Sequence, residues 1–202
     1  MVLTHPEEDH IIGLVEVLGR YKVEQVLEPG LERDTPAYQE WLRLIDEKNI
    51  ERTIAQAGQQ IELGDGIRME VFHPQEELMV GTESDTNNNS VVLRLVWDEV
   101  SFLLTGDIYE ETEREILYRG YRVRSTVLKM AHHGSATSTS LHFLAAVDPQ
   151  VAVISVGKEN PFGHPHDETL ERLSGVKVYR TDEQGTIELI TDGERLGVET
   201  GR

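Results

Sequence analysis

The 202 residues are enough for one substantial hydrophobic core, and the absence of cysteine excludes disulfides and thiolate metal sites, so any metal must be held by imidazole and carboxylate. The net charge of −18, from 37 acidic and 19 basic residues, repels polyanions at long range and excludes tight nonspecific nucleic-acid binding through the overall field. Neither a signal peptide nor an apolar run of membrane-spanning length is evident, so the chain reads as soluble.

Val2 and Leu3 read as the end of a strand with nothing before it. His5 to His10, "HPEEDH", then places two histidines and three carboxylates in six residues. Ile11, Ile12, Leu14, Val15 and Leu18 follow at helical spacing, and Val23 to Gly30 reads as a short strand. A second helix is predicted behind Asp34 or Thr35 as N-cap, with Pro36 in its first turn and Tyr38, Trp41, Leu42 and Ile45 on its apolar face. Glu51 to Pro74 carries short strands around "GDG", and Gln75 to Asn89 reads as a polar loop whose asparagines mark turns. Two strands, "SVVLRLVW" and "VSFLLTG", lead to a helix from Ile108 to Tyr118 and the strand "TVLKMA". A Gly/Ser/Thr loop, a short helix near Leu141 to Val147, the strand "VAVISVG" and a helix from Asp167 to Leu173 follow. The chain closes as strand, turn and hairpin. No repeat or linker is visible, which predicts one α/β domain over residues 1–202.

The unusual residues stand at strand ends: His5 to His10, Asp107 after "SFLLTG", His132 to Ser135 after "VLKMA", and Gly163 to Pro165 after "VAVISVG". In layered α/β proteins such ends open on a shared crevice, so the four segments are expected to converge. Each has a plainer interpretation. Glu7, Glu8 and Asp9 could simply cap a helix, and Asp107 could do the same before the next one. Capping leaves His5 without a role. Adjacent His132 and His133 with Gly134 and Ser135 form either an oxyanion or phosphate pocket or a polar loop. His164 and His166 taken singly would be solvated loop residues, and His73 and His142 read as structural. Basic residues are scattered, with no aromatic-rich basic strip.

"THPEEDHIIG", "NNNSVVLRL", "SFLLTGD", "LKMAHHGSATS" and "SVGKENPFGHP", in that order, resemble metallo-β-lactamase-fold hydrolases, nearest to the C-terminal domain of ComEC-type competence proteins of the DNA-uptake family. The resemblance implies an αββα sandwich, here lacking its first strands and so incomplete at the N-terminus. It implies two divalent metals, zinc or manganese. Their ligands would be His5, Glu7, Asp9, His10, Asp107 and His164. Site one, with Glu7 where the family places histidine and with Ser90 or a neighbouring asparagine in the region of another, is poorer in nitrogen and weaker. Site two, with Asp9, His10, Asp107 and His164, has a full ligand set.

Asp9, His132, His133 and Ser135 are the expected catalytic residues. Asp9 would orient the nucleophile, the histidines would steady phosphate oxygens or protonate the leaving group, and Ser135 would add a hydrogen bond. The implied function is phosphodiester hydrolysis of single-stranded or other DNA during uptake, with membrane channel domains upstream in a full-length protein and membrane association only in that setting. The alternatives are a lactone or thioester hydrolase of the same fold and a catalytically weak structural domain.

Overall fold

The structure, a computed structural model, describes residues 1–201. Its centre is a seven-stranded mixed sheet that runs, edge to edge, through β3 (Gln60–Gly64), β4 (Ile67–His73), β5 (Val92–Trp97), β6 (Val100–Leu104), β7 (Val127–Lys129), β8 (Val151–Ile154) and β9 (Lys177–Arg180). Pairing is antiparallel from β3 to β6 and parallel from β6 to β9. A second, two-stranded parallel sheet joins β1 (Gln25–Glu28) to β2 (Glu51–Ile54), and Val2 bridges to Leu27 beside it.

Period-two alternation assigns each face of the large sheet to a different layer. Leu103, Leu128, Ala152 and Ile154 face one side, where Ile116 of α4 (Glu110–Tyr118), Phe143, Leu144 and Val147 of α5 (Leu141–Val147), and Leu173 just after α6 (Asp167–Arg172) bury them. On the other side, Val71, Val91 and Leu93 pack on Leu27 of the small sheet. Val127, Val151, Val153 and Tyr179 pack under the terminal hairpin of β10 (Ile187–Thr191) and β11 (Leu196–Thr200). Val26, pointing outward from β1, meets α1 (Glu8–Arg20) and α2 (Pro36–Glu47). The layers therefore run helix, sheet, sheet, helix. Thr35 caps α2 by accepting from Tyr38 N at 3.3 Å, ahead of Pro36. Its Trp41 Nε1 donates to the buried Glu28 carboxylate at 2.7 Å.

The predicted loop at 75–89 is not wholly irregular. Ser84 caps a one-turn helix, α3 (Asp85–Asn88), and Asn88 and Asn89 are fully buried. Asn89 accepts from Met79 N and donates to Met79 O, both at 2.8 Å, so the asparagines brace the loop from inside. Among the described residues no helix is long and apolar enough to cross a membrane.

What matters for the site is the register of the parallel strands. Leu103 lies beside Leu128, and Leu128 beside Ala152, so β6, β7 and β8 stop almost level. The segments after them emerge side by side at one end of the sheet, where open α/β sheets bind ligands.

His73, at the end of β4, has no exposed surface and neither ring nitrogen is hydrogen-bonded. Burial pulls its pKa from 6.5 down to about 4. The folded protein keeps it neutral whereas the unfolded chain takes up a proton at ordinary histidine pKa, so stability present above pH 6.5 is lost as the pH falls through that value toward 4. His73→Leu should therefore flatten the acid side of the stability profile by on the order of 2 kcal/mol relative to the parent chain. Urea unfolding at neutral and mildly acidic pH tests this; parallel profiles for the two proteins would contradict it.

Candidate metal centre

Asp9, His10, Asp107 and His133 each bring one nitrogen or oxygen atom into a cluster whose members all lie within 4.8 Å of one another. His133 Nε2 stands 3.1 Å from Asp9 Oδ2 and 3.2 Å from Asp107 Oδ2, and His10 Nε2 stands 3.4 Å from Asp107 Oδ2. Three segments distant in sequence would not meet this way by helix capping. The N-cap position of α1 is Glu7, with no side-chain cap bond, and that of α4 is Tyr109, so neither the acidic run nor Asp107 supplies a side-chain cap.

Each member is held by its own local chemistry. Asp107 follows β6 through Gly106, whose φ of +55° favours glycine; a Cβ there would lie 2.7 Å from Ser90 Cβ. Asp107 N donates to Ser90 Oγ at 3.2 Å, and His132 N donates to Gly106 O at 3.3 Å, tying the ends of β6 and β7 together. His132 and His133 both occupy left-handed backbone, with φ of +47° and +54°. That conformation is costly for side chains with a Cβ and marks a backbone held for a purpose by its surroundings. Gly134 continues the run at φ +83°, with Pro165 packed where its Cβ would be.

Two oxygen atoms set the orientation of the imidazoles. The Ser155 carbonyl lies 2.7 Å from His133 Nδ1. A carbonyl can only accept, so Nδ1 carries hydrogen and the Nε2 lone pair of neutral His133 points at the carboxylates. Thr4 Oγ1 lies 3.2 Å from His5 Nδ1 and 3.3 Å from His10 Nδ1. One hydroxyl proton can serve only one ring, so the other must donate from Nδ1 and thereby expose its Nε2 lone pair.

The electrostatics describe a site short of positive charge. Hydrogen bonding to Asp107 and Asp9 lifts the His133 pKa to about 10. Burial pushes the Asp107 carboxyl upward, but the imidazoles of His10 and His133 outweigh it and hold the group well below the carboxylate range. The hydrogen bond with His133 lowers Asp9 as well. Burial takes His5 down to about 3 and His164 to about 4. Lys129, beyond the cluster, donates to Met130 O at 2.8 Å; burial lowers its pKa while Asp107 and Asp9 pull it up.

These residues fit a divalent transition metal. His10 Nε2 and Asp107 Oδ1 are buried and make no hydrogen bond, and two nitrogens with two carboxylates suit zinc or manganese. The remaining site candidates are arranged around the cluster. His5 is buried with its ring centroid 4.1 Å from that of His10. Glu7 turns away, accepting from Arg33 Nη2 at 3.2 Å. His164 is one ring farther out, 6.5 Å from His133 centroid to centroid. His132 is stacked on Tyr109 at 5.0 Å, and its Nδ1 is 3.5 Å from Thr137 Oγ1. Ser135 is buried with its Oγ 3.0 Å from Thr137 Oγ1, so it reaches His132 through Thr137. His166 accepts from Ala136 N at 2.9 Å and locks the same loop.

Thr4, Gly106 and the Ser155 carbonyl escaped the sequence reading. Thr4 adjoins the "HPEEDH" motif and Gly106 adjoins Asp107, which were the only signals available; the carbonyl leaves none. Ser90, expected with a neighbouring asparagine in the region of a further histidine, lies against Asp107 and accepts from its backbone N.

A seven-stranded mixed sheet under helices, with a His/Asp cluster at its parallel strand ends, defines a metallohydrolase class, and residues 1–158 match the Metallo-beta-lactamase superfamily. The chain belongs to that superfamily. It is 31% identical over 190 residues to ComE operon protein 3 of Bacillus subtilis, covering 93% of this chain and 24% of that protein. It is likewise 31% identical over 191 residues to Competence protein ComA of Neisseria gonorrhoeae, again covering 93% and 24%. The chain thus spans about a quarter of the length of the curated relatives it matches. Among solved structures, the metallo-beta-lactamase fold protein YhfI from Bacillus subtilis shares the fold with a TM-score of 0.53 at 10% identity, over 98% of this chain and 76% of that one.

Gly106→Ala should push Ser90 and Thr4 away from Asp107 and His10. The combined overlap and left-handed backbone should lower the unfolding free energy by at least about 2 kcal/mol and weaken metal binding. Denaturant unfolding and metal titration check this; a variant with parental stability and affinity would contradict the role given to Gly106.

Proposed function

We propose that this chain is the hydrolytic domain, over residues 1–202, of a longer DNA-uptake protein, and that it cleaves phosphodiesters with the help of divalent metal. The observation that carries this is the convergence of Asp9, His10, Asp107 and His133, with buried lone pairs lacking partners, beside the left-handed "HHG" turn. Kinship with competence proteins supports DNA as the substrate and upstream membrane channel segments as the partner.

Asp9, His10, Asp107 and His133 would hold the principal metal, with His164 at the next ring out as a further candidate ligand. His5 would serve a second, weaker site, with Glu7 exchanging Arg33 for the metal. When bound, a divalent cation supplies Lewis-acid charge compensation to a phosphoryl oxygen and acidifies water. Oxygen-rich ligation makes manganese as suitable as zinc.

The chain's own groups divide the remaining work. Asp9, the more exposed carboxylate at 62% of its side chain, would orient the attacking water through its free oxygen. His133, fixed by Ser155 O, would keep its Nε2 on the reacting side. His132 is backed by Thr137 and Tyr109, and burial lowers its pKa, so it would steady a phosphate oxygen as a neutral imidazole. Ser135 would position His132 through Thr137.

Asp107→Ala removes the buried carboxylate that faces both His10 and His133. It should lower metal content to background and phosphodiester hydrolysis by at least about a thousandfold. Elemental content and turnover of a single-stranded oligonucleotide, measured on the same preparation, decide the matter. Full turnover by the variant would overturn the assignment.

A further inference from the structure

The loop between β8 and α6 presents an aromatic ring to solvent at the mouth of the site. Phe162 is 73% exposed, and its ring stacks on His164 with centroids 5.7 Å apart and planes 26° from parallel. Isolated exposed hydrophobic residues are common and need no explanation. Phe162 differs because it lines, with Val156 and His164, a cavity of about 350 Å³ that also contains Asp9 and His133. One wall of the cavity is therefore flat and aromatic, while its inner end carries the groups that would face a phosphodiester.

The ring is also held in place. Asn160 Nδ2 donates to Gly157 O at 3.0 Å and to His164 O at 2.7 Å, and Asn160 Oδ1 accepts from His164 N at 2.9 Å. One side chain thus closes the loop that displays Phe162, so little further ordering is required when a ligand arrives.

Among the described residues no lysine or arginine lines this cavity, and the net charge of the chain is −18. Attraction to the phosphate backbone is accordingly weak here. Stacking on an aromatic face is insensitive to base identity and needs no charge, but it requires a base with a free face. Paired bases inside a duplex do not offer one.

We propose that Phe162, backed by His164, is a stacking platform for the nucleobase beside the scissile phosphodiester, so that the site takes an unpaired nucleotide in preference to duplex. This rests on the phosphodiesterase assignment above.

The test uses the metal-loaded chain and a phosphorothioate single strand carrying 2-aminopurine, whose fluorescence falls when it stacks. Binding should quench the probe. Phe162→Ala should abolish the quenching and weaken binding about tenfold, and Phe162→Trp should restore both. An abasic residue at the probe position should weaken wild-type binding to the same extent, and the duplex form should bind less tightly than the single strand. Equal quenching and affinity in Phe162→Ala, equal affinity for duplex, or no binding by the wild-type chain would each overturn the proposal. So would a Phe162→Ala effect confined to long-chain acyl lactones. Wild-type cleavage of unmodified single strand, followed separately, tells the two readings apart: quenching without cleavage removes the phosphodiesterase assignment and leaves the platform, whereas cleavage without quenching removes only the platform.

Discussion

Two carboxylates, Asp9 and Asp107, converge on one imidazole nitrogen, and the rest of the site follows from what that costs. Asp107 is 97% buried by its 3% exposure, with one oxygen lacking any hydrogen-bond partner. A buried anion of this kind needs a cation. Among the described residues His10 and His133 are the groups in direct contact with Asp107, and hydrogen bonding to the two carboxylates raises the pKa of His133. A divalent metal satisfies the same lone pairs with more charge. The backbone irregularities are the means of bringing these atoms together: Gly106 passes against Ser90, and His132 to Gly134 run left-handed between two tied strand ends.

The layered α/β class and the superfamily were legible in the sequence because both rest on local signals. Strand-length apolar runs, a capped amphipathic α2 and short motifs at strand ends are read directly from neighbouring residues. The convergence of those ends follows from the in-register parallel pairing of β6, β7 and β8. The detailed roles were less accessible. His133 and His132 are neighbours of the same type, yet their left-handed backbone sends one ring to the carboxylates and the other to Tyr109 and Thr137. His164, expected among the ligands of site two, stands at the next ring out. The buried Asn88 and Asn89 look like turn residues until the loop they brace is seen.

The strongly acidic surface and the proposed polyanionic substrate are in tension, and the site itself indicates how that is met. Long-range repulsion opposes encounter with DNA, most strongly at low salt. Affinity must then come from short-range terms: cation-mediated contact with the phosphate at the His/Asp cluster and aromatic contact at its rim. In a longer protein, delivery of the strand by neighbouring segments would raise its local concentration without any long-range field from this domain.

The most direct measurement is anomalous diffraction from crystals grown with zinc or manganese, recorded at the metal's absorption edge. The account predicts an anomalous peak within bonding distance of His10 Nε2, His133 Nε2 and the carboxylates of Asp9 and Asp107, with His133 Nδ1 still bonded to the Ser155 carbonyl. A metal-saturated crystal with no peak at this cluster, and with His133 still paired to Asp9 and Asp107, would contradict it.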